Sequence, residues 1–145
     1  MNLENLKSDV EKVFVKLQET KNKKHGYREH ATLVDTLKTS YRMILEELPS
    51  EEYRHVKKKP INRDYSFDIL TTQSIDYLDG FNSKVLKEVQ ETEKFKTNLL
   101  NSEDYKGYHK TLESYKRLQD LYKDINNAIN RYKDCRKSIG TEFVK

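Results

Sequence analysis

Long apolar runs, cysteine, glycine, proline and tryptophan are all scarce or missing in this chain, and each shortage closes off a class of structure. No stretch approaches the roughly 18 consecutive apolar residues that a membrane-spanning helix needs. The opening residues, Met1-Asn2-Leu3-Glu4-Asn5-Leu6, lack the basic stretch and apolar block of a secretory signal. Cys135 is the one cysteine, so no internal disulfide can form and a reducing, cytoplasmic setting is expected. Four glycines and two prolines in 145 residues supply few turn points, so the elements between them must be long. No Gly-rich phosphate loop, Cys-x-x-Cys pair or Gly-x-Ser-x-Gly turn is present. Alanine occurs only at Ala31 and Ala128, while lysine, asparagine, isoleucine and tyrosine are plentiful. That bias suits an AT-rich genome, a low-GC bacterium or one of its phages.

What the chain does have is charge and helical rhythm. Charged residues make up 36% and apolar residues 34%, too little hydrocarbon for one thick core. Long thin helices need fewer buried positions, because only one stripe of each must face a partner. The expected fold is therefore all-α: an elongated antiparallel bundle of four main helices with coiled-coil-like packing, forming a single domain over 1–145.

The first apolar series is Leu3, Leu6, Val10, Val13 and Leu17, spaced alternately three and four residues apart on one helix face. Lys21 to Gly26 reads as a polar turn. A second series, Tyr27, His30, Val34, Leu37, Tyr41, Ile44 and Leu48, keeps the same rhythm up to Pro49. Each helix has about 22 residues, or roughly 33 Å, and the short link makes residues 2–48 an antiparallel hairpin. Residues 49–63 break the rhythm as a basic connector.

A long hairpin follows over 64–140. Its first helix carries Phe67, Leu70, Ser74, Leu78, Phe81, Val85, Val89, Thr92, Phe95 and Leu99, with Asp64 or Ser66 as a cap and Gly80 as the point where a kink would fall. Asn101-Ser102-Glu103-Asp104 has the look of the next helix start. The stripe then continues through Tyr105, Tyr108, Leu112, Tyr115, Leu118, Tyr122, Ile125, Ile129, Tyr132, Cys135 and Ile139, and Gly140 is placed to end it. Residues 64–100 hold four basic and seven acidic side chains, and residues 101–145 hold ten and seven. Opposite charge favours pairing these two helices, although single surface pairs add only about 0–1 kcal/mol.

Chemistry-bearing residues do not converge in the sequence. His30 falls on an apolar stripe, where a hydrogen-bonded core histidine is the ordinary reading. Glu52 and His55 form one Glu-x-x-His element, whereas di-iron bundles need two copies and two further glutamates. His109 has basic neighbours like a phosphotransfer histidine, but tyrosines crowd it and the residue order differs from that family. No catalytic residue, cofactor or metal ligand is assigned, and the chain is read as a non-enzyme.

Binding roles remain. Ten tyrosines and no tryptophan suit a thin bundle whose core lies near water, and equally a protein interface. If the shorter hairpin cannot cover the longer one, an apolar stripe stays open to a partner. The expected role is a protein–protein interaction module, an adaptor, inhibitor or assembly factor, engaging another protein or a second copy of itself. Its predicted partner face is Phe95, Leu99, Tyr105, Tyr108 and Leu112, flanking the turn of the long hairpin. The alternative is a nucleic-acid-binding regulator using the basic fourth helix and the connector residues Arg54, Lys57, Lys58, Lys59 and Arg63.

Overall fold

Amphipathic periodicity becomes four α-helices in the computed structural model, which describes the backbone of residues 3–48 and 65–144 and the side chains of residues 3–48 and 72–134. The helices are α1 (Leu3–Thr20), α2 (Tyr27–Glu47), α3 (Tyr65–Asn101) and α4 (Tyr105–Val144). The fold is all-α, and the two short and two long helices follow the apolar spacing. Among the described residues no helix is long and apolar enough to cross a membrane.

The chain divides into two compact units. One comprises residues 1–47 and 84–122, the other residues 48–83 and 123–145.

In the first unit, α1 buries Leu6, Val10, Val13, Phe14 and Leu17, and α2 buries Tyr27, Ala31, Val34, Leu37, Tyr41 and Ile44. Leu17, Leu37, Ile44 and Leu118 are fully enclosed. Withdrawing one such aliphatic side chain from water contributes about 1.5–3 kcal/mol. Pairings fix the helix directions. Glu11 bonds Lys84, and Lys21 bonds Glu91, so α1 and α3 run parallel. Arg117 bonds Asp35 at 2.9 Å, and Gly107 lies beside Tyr27, so α2 and α4 also run parallel. These ion pairs join each short helix to a long one.

In the second unit, Ile75, Leu78 and Phe81 of α3 and Ile125, Ala128, Ile129 and Tyr132 of α4 are buried. The Asn82 side-chain amide donates to Asn126 Oδ1 at 2.8 Å, and Tyr77 meets Phe81 edge to face.

Both interhelical turns of the first unit pass through a non-glycine residue in the left-handed region, His25 at φ 58° and Glu103 at φ 61°. After α1, Asn22 and Lys23 donate to the carbonyls of Glu19 and Thr20, three residues back, a tightening common at helix ends. Gly26 then packs so close that a Cβ there would stand 1.9 Å from the Thr20 carbonyl oxygen. At the second turn, Asp104 N–H donates to Leu99 O and Glu103 N–H to Leu100 O, the two bonds of a Schellman motif with Glu103 in the position usually held by glycine. Asp104 also opens α4, its Oδ1 accepting from Gly107 N–H at 2.9 Å. Of the four residues expected to start α4, it is the aspartate that caps.

Several sequence expectations need correction. Gly80 is not one of them: α3 runs unbroken through it, as its sustained helical period implies, with open space where a side chain would project. Gly140 does not end α4, which continues to Val144. A glycine stop requires the left-handed conformation, and none of the described glycines has positive φ. Ser66 lies inside α3, so it is no cap. The connector 49–63 and Asp64 lie outside the described residues, as does the side chain of Cys135.

Candidate functional site

The predicted partner face is built around the Schellman turn. Phe95 and Leu99, one helical turn apart on α3, are half-buried, as are Tyr108 and Leu112 on α4. The Phe95 ring lies 5.8 Å from that of His30, and Tyr108 lies 5.3 Å from His109. Tyr105 is 57% exposed, and Leu100, beside Leu99, is 41% exposed. At 100° per residue, Tyr105, Tyr108 and Leu112 fall within one 60° sector of α4. Aromatic and aliphatic surface therefore gathers on both arms of this turn.

Its setting differs from the one expected. The short helices were expected to stop short of this turn, yet they share a compact unit with residues 84–122, which include it. Tyr27 at the start of α2 lies against Gly107, two residues past the predicted face residue Tyr105. The remaining portions of α3 and α4 belong to the second unit.

The buried line of α4 was also misread. Large apolar residues suggested Tyr105, Tyr108, Leu112 and Tyr115, but the line that faces inward is Gly107, Thr111, Ser114 and Leu118. The tyrosines form its shoulder. Lys96 approaches the Tyr115 ring at 5.0 Å, a cation–π contact that suits an edge position.

Each helix of the first unit contributes enclosed polar side chains: Thr20 on α1, His30 on α2, Glu88 and Thr92 on α3, and Thr111 and Ser114 on α4. Thr20 Oγ1 donates to Leu17 O at 2.7 Å. His30 Nε2 and Thr92 Oγ1 are 3.3 Å apart, while His30 Nδ1 and Thr111 Oγ1 have no partner among the described residues. Burial, aided by the positive charge of Lys21, lowers the His30 pKa from 6.5 to about 4. His30 is therefore a neutral core residue at physiological pH. Its ring contacts Phe95 and Thr92, and no carboxylate among the described residues bonds it.

Beside it, Gln18 and Lys21 of α1 clasp Glu88 and Glu91 of α3. Lys21 Nζ lies 2.6 Å from an oxygen of each carboxylate, and the Gln18 amide donates to both. Burial pushes the Glu88 carboxyl above its ordinary range, with Lys21 pulling the other way. For Glu91, burial pushes up but the hydrogen bonds from Lys21 and Gln18 prevail, and its carboxyl lies below the usual range. This network holds α1 on α3. Removing Lys21 would strand a buried carboxylate.

The groove between α2 and α4 was missed at the sequence level. Tyr27, Arg28, Ala31, Thr32, Asp35, Lys106, Lys110 and Arg117 line a cleft of about 380 Å³. Its signal was the spacing of Lys106, Lys110 and Arg117 on one face of α4, hidden within the helix's total charge. His109 is exposed, and among the described residues no three His, Cys, Asp or Glu side chains gather as a metal site. Arg54, Lys57, Lys58, Lys59 and Arg63, like Glu52 and His55, lie outside the described residues.

Compared with family models, curated proteins and solved structures, the chain matches none.

Proposed function

We propose that this protein is a non-enzymatic helical module for protein–protein interaction, acting as an adaptor, inhibitor or assembly factor in a reducing, cytoplasmic setting of a low-GC bacterium or its phage. The observation that carries this reading is the apolar surface around the α3–α4 turn. Leu100 and Tyr105 are strongly exposed there, and Phe95, Leu99, Tyr108 and Leu112 on the same two helix ends are half-buried. Contiguous exposed apolar surface on a charged protein marks a partner site, and tyrosine is enriched at such sites. The turn itself is held by the Schellman bonds and the Asp104 cap, so little ordering cost accompanies docking.

Charged substitutions separate this face from the rest of the surface. Leu100→Glu with Tyr105→Glu is expected to abolish concentration-dependent self-association in light scattering, or capture of a partner from the native host. Val15→Glu, at another exposed apolar position, should leave either unchanged. A wild-type chain that stays monomeric at high concentration and retains no partner would overturn the proposal.

A further inference from the structure

We infer that the groove between α2 and α4 is a docking site for a short acidic segment of a partner protein. It is distinct from the apolar face at the turn. On α4, Lys106, Lys110 and Arg117 lie within about 40° of one another, roughly 160° around the helix from Tyr108.

Two parallel helices build the groove. Arg28, Thr32 and Asp35 recur at i, i+4 and i+7 along α2, facing Lys106, Lys110 and Arg117 along α4. Four cations thus meet one carboxylate across a cleft whose floor is the buried Tyr27 ring and Ala31. Asp35 is already bonded to Arg117 at 2.9 Å, which neutralises the end of the groove far from the turn. At the near end, no carboxylate among the described residues pairs with Arg28, Lys106 or Lys110. By contrast Lys21, Lys23, Lys84 and Lys87 each have an acidic partner. Asp104 caps the N-terminus of α4 and Glu29 lies in the first turn of α2, so the field here comes from the three cations themselves, with Arg28 6.0 Å from the Tyr27 ring.

Size and charge pattern select the occupant. From Lys106 to Arg117 the groove spans about 16 Å, the length of about five residues of extended chain. Alternate side chains of such a strand are about 6.6 Å apart, close to the roughly 6 Å between helix positions i and i+4. Carboxylates at alternate positions would meet Arg28, Lys106 and Lys110 in register. A nucleic-acid backbone fits less well. Its unbroken row of phosphates would run onto Asp35 inside the groove and onto Glu113, which the helical rotation places on the same face between Lys110 and Arg117. A mixed pattern of this kind selects a segment whose charge is placed and finite.

The test uses the full chain and a fluorescein-labelled pentapeptide of alternating glutamate and leucine, followed by anisotropy. We expect binding that weakens as salt rises from about 0.01 M to about 0.15 M. Lys106→Glu with Lys110→Glu should lower the affinity about tenfold or more, with helical circular dichroism unchanged. Lys16→Glu with Lys123→Glu carries the same net charge change on exposed positions outside the groove and should cost less than about threefold. Asp35→Asn, which frees Arg117, should tighten binding severalfold, whereas Asp124→Asn should not. Equal losses in the two double variants would overturn the proposal, as would no binding at low salt. Tighter binding of a thymidine decanucleotide with the same dependence on Lys106 and Lys110 would also overturn it. Leu100→Ser with Tyr105→Ser, which strips the turn face without adding charge beside Lys106, should leave the peptide affinity intact, so failure of the turn face and failure of the groove are read separately.

Discussion

Helices α2 and α4 run side by side in the first unit, but they use opposite means to meet. Along α2 the inward line is Tyr27, His30, Val34, Leu37, Tyr41 and Ile44, large at nearly every turn. Over the neighbouring stretch of α4 the line is Gly107, Thr111, Ser114 and Leu118, small or polar until its last member. One helix supplies volume and the other supplies room, as close-packed interiors require. The Tyr27 ring fills the space a side chain on Gly107 would need. Two glycines serve the short hairpin in different ways: Gly26 admits a backbone carbonyl, Gly107 admits a ring.

That difference can be broken from several directions. Gly26→Ala should have the largest effect. Its Cβ would stand 1.9 Å from the Thr20 carbonyl oxygen, and a helix end cannot yield as a side chain can. A loss on the order of 3 kcal/mol or more is expected in chemical denaturation. Stability unchanged within error would refute the close approach.

Next comes acid. His30 has a pKa of about 4 in the folded chain against 6.5 when free. Above pH 6.5 it is neutral in both states and contributes nothing to pH dependence. As pH falls from 6.5 towards 4, the unfolded chain takes up a proton that the folded one refuses, and stability drops by up to about 3 kcal/mol before levelling off. Glu88 works in the opposite sense. Its raised pKa means the folded state protonates first as pH falls, which offsets part of the loss. His30→Leu should remove the decline across that window, as measured by urea titrations at successive pH values. A variant as acid-sensitive as the parent would show that His30 is not the cause.

Gly107→Ala tests the softer contact. Alanine favours the helix by about 1 kcal/mol, but its methyl would meet the Tyr27 ring at 2.9 Å and the Asp104 carboxylate at 2.8 Å. Overpacking of this kind costs about 1–3 kcal/mol, so a net loss of about 1 kcal/mol is expected. A rise in melting temperature would mean that the ring gives way freely. The smallest effect has the opposite sign. Glu103→Gly relieves a left-handed glutamate and should stabilise the chain by about 0.5–1 kcal/mol.

The short hairpin was legible because its large apolar residues and its buried residues coincide. All seven positions read from Tyr27 to Leu48 are buried. Near the turn of the long hairpin they part company. Hydrophobic spacing points to where a helix carries hydrocarbon, and on α4 that hydrocarbon is a tyrosine shoulder flanking a line of glycine, threonine and serine. Glu88 misled in the same way. Val89 was the expected core residue, yet the carboxylate is the enclosed one, because Lys21 and Gln18 reach it from another helix. Neither pattern is periodic in hydrophobicity, so neither shows in one chain read alone. The α2–α4 groove stayed hidden for a related reason: a net charge does not say which cations share a face.

The enclosed threonines and histidine have a further consequence, for alignment. A seam of leucine and valine tolerates sliding, since hydrocarbon repeats every three or four residues and meets hydrocarbon again after a shift of one turn, about 5.4 Å. The enclosed polar side chains of the first unit are few and differ from helix to helix: Thr20 on α1, His30 on α2, Glu88 and Thr92 on α3, Thr111 and Ser114 on α4. Shifting α2 against α3 by one turn would part His30 from Thr92, at about 1–3 kcal/mol for each group left unbonded. The His30–Thr92 pair thus acts as an index mark, favouring one register of α2 on α3 where the apolar seam would accept several.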